Sequence, residues 1–77
     1  MIYPNPAIDE LILEFDLEQR AATTIKLVDI SGKVVYSAFI NPGIQIVNID
    51  LSMLSEGVYF IHISGEKNIL VKKIIKY

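Results

Sequence analysis

The chain has no cysteine, no tryptophan and a single histidine among its 77 residues. Without cysteine it has no disulfide framework, no thiol nucleophile and no cysteine-based zinc site. A triad needs a nucleophile and an acid converging on its histidine. His62 is the only histidine, and alternation puts it with Val58 and Phe60 on a partly exposed strand face. No apolar run approaches the roughly 20 residues that a membrane-spanning helix needs. Met1-Ile2-Tyr3-Pro4 lacks the basic and long apolar regions of a cleavable signal peptide. Walker, G-x-S-x-G and G-x-G-x-x-G sequences are missing too. A net charge of −2 gives no bulk attraction to nucleic acid. The chain therefore reads as a non-enzyme with no catalytic, metal or cofactor residues and no small-molecule substrate.

Apolar residues, by contrast, are plentiful. They make up 52% of the chain, mean hydropathy is +0.44, and Ile, Leu and Val dominate. That density excludes disorder. It also offsets small size, because so short a chain buries only about 60% of its unfolded surface. Apolar positions recur with period 2, and no stretch sustains the 3.6-residue period of a helix. Ile2-Tyr3 reads as a short opening strand, closed by Pro4 and Pro6, which cannot donate to a ladder. Glu10 to Phe15, Thr23 to Val28, Lys33 to Ile40, Ile44 to Ile49, Val58 to Ser64 and Ile69 to Lys76 read as further strands. Asp16 to Ala22 and Gly65 to Asn68 read as loops. Asp9, Glu10, Glu14, Asp16 and Glu18 have no calcium-loop spacing and read as a solvated face.

Two turns carry strong local chemistry. In Asp29-Ile30-Ser31-Gly32-Lys33, Asp29 can accept backbone hydrogen bonds and Gly32 can take positive φ, which predicts a bulged hairpin. Asn41-Pro42-Gly43 predicts a second turn. Leu51 to Gly57 predicts a tight corner with one helical turn over Ser52 to Leu54. Within it, Leu54, Gly57 and Tyr59 have the spacing of a tyrosine corner, where the hydroxyl bonds upstream backbone and pins a crossover between sheets. Together these features predict an all-β, immunoglobulin-like antiparallel sandwich of about seven short Greek-key strands. Residues 1–77 form one domain.

The last strand, Ile69 to Lys76, is apolar with basic heads. Such a strand can discourage aggregation as a charged edge, or be offered to a receptor by edge pairing and charge. The order of motifs along the chain decides between these readings. Tyr3-Pro4-Asn5-Pro6 opens it, Asp29-x-x-Gly32-Lys33 follows, then Leu54-x-x-Gly57-x-Tyr59, and Lys72-Lys73-Ile74-Ile75-Lys76 closes it. In this order the chain resembles the type A C-terminal sorting domain of the type IX (Por) secretion system of Bacteroidetes over its whole length.

That resemblance implies a domain at the end of a larger preprotein, exported through the periplasm to the cell surface or beyond. The implied partners are the type IX translocon, an outer-membrane shuttle protein and a surface sortase-like cysteine protease that cuts upstream of the domain. Recognition by translocon and shuttle falls on Lys72, Lys73, Ile74, Ile75 and Lys76. Two alternatives compete with it, an adhesive or carbohydrate-binding accessory module and a structural spacer. The accessory module is disfavoured because the four tyrosines and three phenylalanines are expected mostly at core-like strand positions. Two unprotected sheet edges also leave isolated domains free to pair as homodimers.

Overall fold

A computed structural model describes residues 2–4, 6–15, 22–65 and 69–77. They form β1 (Ile2–Tyr3), β2 (Glu10–Glu14), β3 (Thr23–Asp29), β4 (Val34–Ile40), β5 (Ile46–Asp50), β6 (Gly57–Ser64) and β7 (Ile69–Lys76), with no helix among the described residues. One sheet has the order β1-β2-β5 and the other β4-β3-β6-β7, with antiparallel pairing throughout both. The expected all-β sandwich is therefore the fold.

Period-2 patterning sets which side chains the sheets enclose. On β2, Leu11 and Leu13 turn inward while Glu10 is exposed; on β3, Ile25 and Leu27 turn inward. Ile49, Leu51, Tyr59, Ile61 and Ile74 complete the core with Ala7. Phe15 and Tyr36 pack against this core, but the expectation for the aromatics fails at Phe39. Tyr59 is the only buried aromatic among the described residues, and Phe39 is 66% exposed. The cause is strand geometry. Tyr36 pairs with Leu27 and Phe39 with Thr24, and residues three apart on a strand cannot share a face.

Local chemistry closes the hairpin between β3 and β4. Asp29 Oδ1 accepts hydrogen bonds from Ser31 N (2.9 Å), Ser31 Oγ (2.6 Å) and Lys33 N (3.0 Å), and Gly32 has φ +90°. The register shifts between Leu27 and Val28, which is the bulge that a longer hairpin loop requires. At the corner after β5, Asp50 Oδ1 accepts from Ser52 N at 2.9 Å. The corner is a single turn closed by Leu54 N donating to Leu51 O at 2.9 Å, without a helix. The loop expected over Asp16 to Ala22 and the turn over Gly65 to Asn68 lie largely outside the described residues.

Both turn carboxylates are acidified by these bonds. The Ser31 hydroxyl, then the Lys33 backbone N–H, hold Asp29 below its ordinary 3.8; the Ser52 N–H and side chain do the same for Asp50. A lowered folded pKa means a contribution to stability that is complete above the ordinary value. It is lost as pH falls from about 3.8 through the folded pKa. Melting temperature should thus fall below pH 4 and fall less steeply in Asp29→Ala. Identical acid limbs in the two proteins would contradict this account of the hairpin.

Candidate functional site

β7 is an edge strand and divides into two unlike parts. Residues 69–73 are exposed on both faces, with Ile69 at 72% and Leu70 at 54%. Ile74, opposite Tyr59, is 1% exposed and belongs to the core; Ile75 is half-buried, and Lys76 is 7% exposed. The five residues of the basic terminus therefore do not form one surface. Lys72 and Lys73 reach solvent, whereas Ile74 and Lys76 are part of the packing.

What covers the end of β7 is the segment after β1. Ala7 N donates to Ile75 O at 2.8 Å, and Tyr77 N donates to Ala7 O at 2.9 Å, a parallel bridge outside the antiparallel sheets. Ala7 is wholly buried. Its small side chain suits a backbone that lies directly on another strand. Lys76 lays its side chain into this closed corner and donates from Nζ to Tyr77 O at 3.3 Å. A long lysine stem packs like an aliphatic chain while its head keeps a polar partner.

The opening motif anchors this segment. Tyr3 pairs with Ile12, and its hydroxyl donates to Glu14 Oε1, a bond that raises the tyrosine above its ordinary 10.0. Pro4 follows in a cis peptide, Pro6 is exposed, and Asn5 lies outside the described residues. The Y-P-N-P opening and the basic terminus, read as separate signatures, thus meet at Ala7.

The corner motif supports the same region from below. Tyr59 Oη donates to Ser55 O at 2.7 Å, Leu54 packs against the core, and Gly57 pairs with Lys76 at φ +152°. Tyr59→Phe removes one part-buried hydrogen bond and should cost about 1 kcal/mol. Chemical denaturation reads this directly, and an unchanged midpoint would contradict it. Asp29, Gly32 and Lys33 stand at the hairpin between β3 and β4, where they shape the turn.

Ala7 and Phe39 are the residues that sequence reasoning missed. For Phe39 the signal was present in its three-residue offset from Tyr36. For Ala7 none was, because its partner lies at the other end of the chain. Among the described residues, no cluster of three His, Cys, Asp or Glu could hold a metal ion. No helix of the described residues is long and apolar enough to cross a membrane.

The arrangement is a small sandwich with an accessible basic strand. No curated protein matches the chain. The family described as the secretion system C-terminal sorting domain matches residues 1–77, and the chain belongs to that family.

Proposed function

We propose that this chain is the terminal sorting unit of a larger preprotein, recognised by the type IX translocon and an outer-membrane shuttle protein. A sortase-like cysteine protease at the surface then removes it by cutting upstream. The family match across residues 1–77 is the observation that carries this reading. Membership implies a protein secreted to the cell surface or medium, with this domain acting by being bound.

Within the terminal motif the five residues divide the work. Lys72 and Lys73 are exposed and meet the receptor, where exposed charge speeds encounter and fixes register. Ile74, Ile75 and Lys76 hold the strand against the sandwich so that the two ammonium groups are presented on a fixed backbone. Homodimers of the free domain would use the exposed part of β7, where Ile69 and Leu70 are uncovered.

The test is transfer of the property. A periplasm-targeted reporter carrying this chain at its C-terminus should reach the surface of a bacterium with type IX machinery. The same reporter without the chain should stay in the periplasm. Equal distribution of the two would refute the proposal.

A further inference from the structure

The outer face of the β4-β3-β6-β7 sheet differs in charge from the outer face of the other sheet. Its cross-strand register builds parallel rows. Lys26, His62 and Val71 share one row, and Val28, Phe60 and Lys73 share the next. A third row ends in Phe39, 66% exposed, and Ile69, 72% exposed. Single exposed apolar residues are ordinary on a protein surface, but here Val34, Val28, Phe60, Val71, Ile69 and Phe39 surround the central pair Lys26 and His62, and that much apolar surface on one face marks a binding site.

Charge is divided between the two outer faces. Among the described residues, no Asp or Glu stands on the four-stranded face, which bears Lys26, Lys73 and His62. The outer face of the other sheet has the carboxylates Glu10, Glu14 and Asp50 and no cationic side chain among the described residues. A chain of net charge −2 thus keeps one face wholly free of carboxylates among the residues described. We propose that this face docks a protein component of the secretion machinery through a surface that sets carboxylates at its centre, opposite Lys26 and His62, and apolar side chains around them. The proposal rests on the sorting reading; Lys73 belongs to both surfaces, and Lys26, His62 and Phe39 extend the contact beyond the terminal strand.

Charge pattern favours that occupant over two others. A symmetric pair of these faces would set Lys26 and His62 of both copies into one interface, and like charges opposed across strands destabilise. Anionic membranes are read by clusters of about four to eight Lys and Arg. This face has Lys26 and Lys73 only, set among apolar side chains.

The experiment uses the reporter with the full chain at its C-terminus in the secreting bacterium. Lys26→Glu and Phe39→Asn each change this face, and Glu10→Lys changes the opposite one; melting temperature checks folding. The surface fraction should fall about tenfold or more in Lys26→Glu, fall also in Phe39→Asn, and stay at the wild-type level in Glu10→Lys. If Lys26→Glu fails to fold, Phe39→Asn decides. Wild-type export by folded variants would overturn the docking face and leave the sorting reading standing. A wild-type fusion that is never exported would overturn both. The proposal also fails if the fusion sediments with phosphatidylglycerol vesicles in a Lys26-dependent way. A Lys26-dependent dimer in sedimentation velocity would overturn it as well, because the occupant would then be a second copy.

Discussion

Removing Lys72 to Tyr77 should unfold the domain. The truncation takes away Ile74, which is 1% exposed between the sheets, and Lys76, which closes the corner beside Ala7. It also removes the acceptor at Ile75 O and the donor at Tyr77 N that hold the Ala7 segment. Truncating one buried Ile to Ala typically costs about 2–5 kcal/mol. At roughly 0.05–0.15 kcal/mol per residue, a chain of 77 residues has only about 4–12 kcal/mol in all, and the truncation removes Ile74, Lys76 and both anchors of Ala7 together. The truncated protein should show no cooperative melt and no export. A native-like melting transition would contradict the packing described for β7. Export lost by this route reports the fold and says nothing of recognition.

Recognition is separable by charge. Lys72→Glu with Lys73→Glu changes two exposed side chains while leaving Ile74 and Lys76 in place. Surface substitutions away from special features usually move stability by no more than about 0.5 kcal/mol. The double variant should therefore melt near the wild type. Its surface fraction should fall about tenfold or more, since reversing charges at a complementary interface lowers the rate of encounter and sets like charges against the receptor. Lys72→Arg with Lys73→Arg should keep most export. Wild-type export by a folded double Glu variant would remove Lys72 and Lys73 from the recognition surface. Surface fraction and melting temperature measured on the same protein keep the two effects apart.

Much of this architecture can be read in the sequence because its causes are local. The bulged hairpin follows from one Asp and one Gly placed three residues apart, Asp29 and Gly32. The core face of β2 and β3 follows from the alternation of Leu11, Leu13, Ile25 and Leu27. The bond from Tyr59 to Ser55 spans four residues, and the L-x-x-G-x-Y spacing is its sequence signature.

Long-range contacts leave no such trace. Nothing adjacent to Lys76 in sequence says that its side chain is buried, since the corner that receives it is made by Ala7 at the far end of the chain. Counting lysines therefore treats Lys72, Lys73 and Lys76 alike, although they occupy unlike environments. The basic outer sheet face is likewise the product of three registers. Lys26 and His62 lie far apart in sequence and become neighbours only when β3 pairs with β6.

The most direct test of the central claim is the intact mass of the reporter recovered from the surface and medium of a type IX-secreting bacterium. The account predicts exported reporter whose mass lacks this chain, with a new C-terminus upstream of Met1. Reporter found only in the periplasm with the chain attached would contradict the sorting function. Exported reporter still bearing the whole chain would contradict its removal at the surface.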